Sequence, residues 1–123
     1  MTWISLLPLI GVLAVWLAVK RSGGISRKAA IAHLRKGAMV IDVRSAGEFT
    51  AGHLSRAVNI PLSEIDTVIE RKASSKDQVL LLHCQSGGRS RVAQRRLRAL
   101  GYVHAYNLGS YARAAEIVGS RAS

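Results

Sequence analysis

Apolar positions along the chain fall into three kinds of pattern. Over residues 3–19 they are nearly continuous, with no charged side chain in the stretch. Further on they break into short runs at 38–44, 57–60, 78–83 and 103–108. These are too short for helices and rich in aliphatic residues, so they predict four buried strands. Between them the apolar spacing changes to three and four. Ala30, Ile31 and Leu34 predict a helix over 27–36, capped by Ser26 and stopped by Gly37. A short helical turn over 46–51 leads to Gly52-His53. Leu62, Ile65, Val68 and Ile69 mark a helix running to Glu70, with Ser63 as its cap and Asp66 in capping-box position. A polar loop spans 71–77. Val92, Ala93, Leu97 and Leu100 give the buried face of a helix that ends before Gly101, and Tyr111, Ala114, Ala115 and Val118 that of a last helix over 111–118. Strands that alternate with helices imply an α/β fold: a mainly parallel central sheet with helices on both faces.

The continuous run of 17 residues at 3–19 would span about 25 Å as a helix, enough to cross the thinner hydrocarbon cores. A cleaved signal peptide would need positive charge ahead of the run, and Met1-Thr2 supplies no side-chain charge. A buried core helix is the other alternative, but the downstream segment is complete without one. The expected organisation is therefore a transmembrane helix at 3–19, a Gly-containing linker at 20–24 and an α/β domain at 25–121. Lys20, Arg21, Arg27 and Lys28 all follow the run, which places the domain on the cytoplasmic side of an inner (plasma) membrane crossed once.

Charge sharpens the list of partners. Eighteen Lys and Arg against seven Asp and Glu leave +11, which favours small anionic substrates or an acidic lipid surface. Arg91, Arg95 and Arg98 form a basic stripe beside Arg96, without interleaved aromatic residues, so nucleic acid is not an expected partner. The single cysteine excludes an internal disulfide. His33, His53 and His104 show no ligand spacing with one another or with Cys84, and His83 points away from its neighbour on a strand, so no metal is expected.

That single cysteine stands where the third strand ends and a helix begins. Cys84 is followed by Gln85, Ser86, Gly87, Gly88, Arg89 and Ser90. The glycines permit the positive φ angles of a tight curl. The curl would aim the N–H groups of 85–90 and the positive end of a helix dipole at Sγ, with Arg89 closing the ring. Such surroundings favour a thiolate at neutral pH, so Cys84 is the expected nucleophile and needs no general base. At the end of the first strand, Asp42 and Arg44 read as a structural charge couple with Glu48 within reach of Arg44. His53 reads as a hydrogen-bonding organiser of its turn.

With these motifs the chain resembles the rhodanese family of sulfurtransferases, in particular its small single-domain bacterial members. One block is Ile41-Asp42-Val43-Arg44, Glu48-Phe49, Gly52-His53-Leu54 and Ala57-Val58-Asn59-Ile60-Pro61. The other runs from Cys84 to Ser90, with Ala93, Leu97, Gly101-Tyr102 and Asn107-Leu108 after it. The resemblance implies a rhodanese-like fold and a ping-pong reaction. Cys84 would take a sulfane sulfur from a small anionic donor such as thiosulfate, hold it as a covalent persulfide without any separate cofactor, and pass it to cyanide or a thiol. Where the family often has Gly-Gly and then tryptophan, this chain has Gly109-Ser110-Tyr111. Related phosphatases and arsenate reductases place five residues between cysteine and arginine. Here four intervene, and the tighter ring suits sulfur better than a tetrahedral oxyanion. A non-turnover regulatory or sulfur-carrier module on the membrane is the alternative.

Overall fold

The computed structural model describes residues 24–120; the expected transmembrane helix at 3–19 lies outside them. Among the described residues no helix is long and apolar enough to cross a membrane. Four strands, β1 (Met39–Asp42), β2 (Val58–Asn59), β3 (Leu80–His83) and β4 (Ala105–Gly109), make one sheet in the order β2-β1-β3-β4. Every pairing is parallel. The helices are α1 (Arg27–Arg35), α2 (Ala46–Ala51), α3 (Ile65–Lys72), α4 (Gly88–Ala99) and α5 (Tyr111–Ser120).

The period of two along the strands divides the core. Ile41, Leu80, Leu82 and Cys84 point to one face, where Ile65, Ile69, Ala93, Leu97 and Tyr102 cover them. Val40 and Leu81 point to the other, beneath Ala30, Leu34, Ala114 and Ile117. All four residues of β3 are buried, as a strand inside a parallel sheet requires. The thiol therefore faces the layer of α3 and α4, and His83 faces that of α1 and α5.

The chain enters this frame earlier than the linker at 20–24 suggested. Gly24 already pairs with Asn107 of β4. Arg113 holds the entry in place by donating to the carbonyls of Ile25 and Leu108, both at 2.6 Å.

Two sequence expectations are corrected. Ser63 caps no helix. Pro61 is followed by a 3-10 turn, Leu62–Glu64, and α3 starts at Ile65 without a side-chain cap. The Leu62 amide donates to the Val43 carbonyl at 3.0 Å, so the turn is pinned to the end of β1 and the helix begins a residue later. On α4, Val92 and Leu100 are exposed, whereas Ser90 and Gln94 are buried. The reason is polar: Gln94 Nε2 donates to the Ala105 carbonyl at 3.1 Å, which rolls that side of the helix onto β4.

Candidate active site

The loop from β3 to α4 encloses the sulfur of Cys84, whose residue is fully buried. Gly87 has a φ of +99°, where an L-residue would be strained, and a Cβ there would also sit 3.5 Å from the Gly109 backbone. In that conformation the Gly87 N–H donates to Sγ at 3.0 Å. Burial pushes the thiol up. The Ser90 hydroxyl and the N–H groups of Ser90, Gly87 and Ser86 more than offset this, so the thiol lies below its ordinary range. Of the amides at 85–90, that of Gly87 bonds Sγ directly, and those of Ser86 and Ser90 also act on it.

The Ser90 hydroxyl has one proton and three acceptors around it: Asn107 Oδ1 at 2.7 Å, the Gly87 carbonyl at 3.1 Å and Sγ at 3.5 Å. Asn107 Oδ1 also accepts from the Gly109 N–H at 2.8 Å. Asn107 thus ties the cradle to β4. Asn107 stood in the motif block that carries the resemblance, but the sequence did not show which residue it would hold. Ser90→Ala removes a lowering contribution, so the thiol titrates at higher pH. The rate of Cys84 alkylation by iodoacetamide, measured against pH, shifts its midpoint upward in the variant; an unchanged midpoint would assign the lowering to the backbone amides alone.

The loop is braced from the next strand–helix junction. The Cys84 N–H donates to the Gly109 carbonyl at 3.2 Å, and the Tyr111 N–H donates to the Gln85 carbonyl at 3.1 Å. Ser86 bridges Ser110.

Arg89 faces Cys84 through its charge, while its hydrogen bonds go elsewhere. It makes a two-point pair with Glu48, at 2.6 and 3.0 Å. Glu48 lies near Arg44, as expected, and shares a hollow with it; it also completes the capping box of α2 with Ser45 and meets Arg89. Its carboxyl is pulled down to about 2, first by the Arg89 hydrogen bonds and then by the Ser45 amide. The arginine charge is thereby largely matched, although the guanidinium still feels a thiolate at Cys84.

Asp42 and Arg44 are the structural couple expected, and both are buried. Asp42 accepts from Arg44 Nε at 3.0 Å, from Nη2 at 2.8 Å and from the Arg44 amide at 2.9 Å. Arg44 Nη2 also donates to the Gly52 carbonyl at 2.7 Å, and the guanidinium lies 4.7 Å from the centre of the Tyr111 ring. Tyr111 thus packs on the far side of the loop. Asn59 Nδ2 joins strand ends by donating to the carbonyls of Asp42 and Arg44 at 3.0 Å. His53 Nδ1 meets the Phe49 carbonyl at 2.8 Å, and the two rings stack at 3.8 Å, which fixes the end of α2.

His83 is buried, and burial is the main cause that pushes its imidazole below its ordinary range. Its Nε2 has no hydrogen-bond partner and lies 3.8 Å from Asp42 Oδ2. Strand alternation turns this ring away from Sγ, so it does not serve the thiol as a base. Among the described residues no cluster of His, Cys, Asp and Glu is disposed to hold a metal ion. Two open hollows flank the loop. One of about 370 Å³ lies between Arg89, Arg96, Leu62 and Ser63; the other of about 310 Å³ lies between Glu48, Arg44, Gln85 and Tyr111. The Glu48–Arg89 pair stands between them, one partner lining each. Chemically, the arrangement offers a buried sulfur whose thiolate form is stabilised by hydrogen-bond donors, with no adjacent general base.

Known proteins share the fold and much of this sequence. The family model described as "Rhodanese-like domain" matches residues 26–114. The thiosulfate sulfurtransferase PspE of Escherichia coli (strain K12) is 33% identical over 69 residues, covering 56% of this chain and 66% of that protein. The chain thus spans just under two thirds of that relative's length. A human thiosulfate:glutathione sulfurtransferase is 34% identical and is matched over 76% of its length and 60% of this chain. Among solved structures, a human single-domain sulfurtransferase superposes with a TM-score of 0.64 at 30% identity, over 77% of this chain and 96% of that one.

Proposed function

The chain belongs to the rhodanese-like sulfurtransferase family, and from that premise we propose that it is a membrane-anchored sulfurtransferase of the thiosulfate type with Cys84 as its nucleophile. The observation that carries this reading is the sulfur of Cys84 at the head of α4, bonded by the Gly87 N–H at 3.0 Å and lowered in pKa by the loop.

The Cys84 thiolate attacks the outer, sulfane sulfur of thiosulfate. A sulfur–sulfur bond to Cys84 forms as the bond to the sulfonate sulfur breaks, and sulfite leaves with that electron pair. The product, Cys84–S–S⁻, carries its charge about 2 Å beyond Sγ. An anion there remains in front of the same N–H groups and helix N-terminus, so the cradle serves both resting and loaded states. In the second half, cyanide or a thiolate attacks the terminal sulfur, and the electron pair of the broken S–S bond returns to Cys84. Neither half requires a proton to be abstracted in the site, consistent with a thiol whose only close side-chain partner is a hydroxyl. The relative that uses glutathione as acceptor supports a cellular thiol in that role. Asp42, Arg44, Glu48 and His53 hold the loop's surroundings and do not touch the sulfur.

The uncharged run at 3–19 and the basic residues after it support a single-pass anchor in the inner membrane with the domain on the cytoplasmic side. A C-terminal reporter active only outside the cytoplasm would reverse that orientation. For the chemistry, intact mass after incubation with thiosulfate rises by one sulfur atom, and continuous thiocyanate or persulfide production follows when an acceptor is added. Sulfur uptake without turnover on any acceptor would favour the alternative, a sulfur-carrier module; no uptake at any donor concentration would sink both.

A further inference from the structure

The outer face of α4 plays no part in the chemistry above. Three large apolar side chains are exposed among the described residues: Val92 at 38%, Leu100 at 39% and Val103 at 58%. All three lie on α4 or in the turn after it. The same helix has five arginines and no acidic residue in its sequence GRSRVAQRRLRA. Ser90, Ala93, Gln94 and Leu97 are its buried residues. At about 100° per residue, Val92, Arg95 and Ala99 then point away from the sheet, with Arg91 on one flank of that face and Leu100 on the other. Arg91 and Arg95 are exposed, and among the described residues neither has an ion-pair partner.

We propose that this face of α4 docks on the surface of an anionic lipid bilayer. Apolar side chains flanked by arginines, with no acid among them, are what a helix lying in the headgroup plane presents: guanidinium groups meet phosphates while the apolar groups enter the acyl boundary. The position of the face agrees. Gly24 joins the sheet at Asn107 of β4, and the residues linking it to the uncharged run at 3–19 are only 20–23. α4 lies on that same strand: Gln94 and Arg98 both donate to the Ala105 carbonyl at 3.1 Å, and the Ser90 hydroxyl reaches Asn107 at 2.7 Å. The chain thus enters along the edge strand β4, which α4 covers on one face, while Arg113 of α5 grips the entry from the other. A single-stranded nucleic acid would instead want exposed aromatic rings for its bases, and this face offers none. Docking α4 places the cysteine loop, at its N-terminus, beside the bilayer surface.

The inference rests on the membrane part of the reading above and not on its sulfur chemistry. The test uses the full chain in nanodiscs of phosphatidylcholine alone or mixed with phosphatidylglycerol, with amide hydrogen exchange read peptide by peptide. Exchange across α4 is slower by several fold in the anionic discs, returns to the neutral-lipid rate at high salt, and shows no lipid dependence in R91Q/R95Q. Equal exchange in the two lipids overturns the proposal, as does protection that survives R91Q/R95Q. A separate arm floats the full chain with anionic vesicles after an alkaline carbonate wash. Release by the wash means that the anchor reading fails. Binding of the released chain to phosphatidylglycerol vesicles that falls about tenfold or more in R91Q/R95Q still upholds the α4 face, and binding indifferent to the substitutions overturns it. Heparin that protects α4 as well as the lipid does would make the face a general polyanion patch and overturn it too.

Discussion

Cys84→Ser takes up no sulfur. Its intact mass is unchanged by thiosulfate while the wild type gains one sulfur atom, and turnover with cyanide or a thiol falls by more than about a thousandfold. The expected size follows from the chemistry. A serine hydroxyl in the same cradle stays protonated at neutral pH, and no neighbouring base can relieve it of the proton: His83 faces the other side of the sheet, and Ser90 is itself a hydroxyl. The fold tolerates the change, because the replacement differs from the thiol by one atom and retains the contacts to Gly87 and Ser90. Wild-type and variant unfolding curves should therefore superpose closely, which separates loss of the nucleophile from loss of structure. Turnover within tenfold of the wild type in C84S would remove Cys84 from the mechanism, whatever the loop looks like.

Asp42→Ala gives the largest loss of stability, about 3–5 kcal/mol. Arg44 is 5% exposed, and its Nε and Nη2 both donate to this one carboxylate. Removing the carboxylate strands a buried cation whose remaining side-chain acceptor is the Gly52 carbonyl. It also frees the Arg44 amide and leaves a void at the end of β1, next to the strand that delivers Cys84. Urea unfolding at neutral pH measures the loss directly. Asp42→Asn retains an acceptor of the same shape and should lose less than the alanine variant. A D42A midpoint within about 1 kcal/mol of wild type would mean that Arg44 swings out to solvent, and that the couple is not what holds this corner together.

Much of the site was legible because it is local. Cys84 to Ser90 is one stretch, and a strand, two glycines and a helix start within seven residues leave the backbone few ways to run. The Asp42–Arg44 couple is two residues apart on one strand end and was readable for the same reason. Partnerships across the fold were not readable. Glu48 was placed within reach of Arg44, where it lies, but its ion pair with Arg89, 41 residues away, had no local signal. Asn107 was visible only as part of a motif, without a partner, and its hold on Ser90 exists only because β4 lies next to β3 in register. Val92 and Leu100 were assigned to the core on spacing alone. Helical periodicity marks a stripe but not its rotation, and the bond from Gln94 to Ala105 sets that rotation.

By itself, then, the sequence determined the alternation of strands and helices, and that one thiol sits at a helix start with the backbone aimed at it. It also determined that the chain is strongly basic and begins with an uncharged run. These properties depend on neighbours a few residues apart, where propensity and spacing act directly. The tertiary structure decided that Glu48 takes up the arginine of the loop. It also decided that β4 braces the cradle and which side of α4 is left bare. Each of these depends on the register of parallel strands joined by long crossovers and on the roll of a helix over the sheet. Both are fixed by packing and by buried hydrogen bonds between residues far apart in the chain, and no local pattern encodes them.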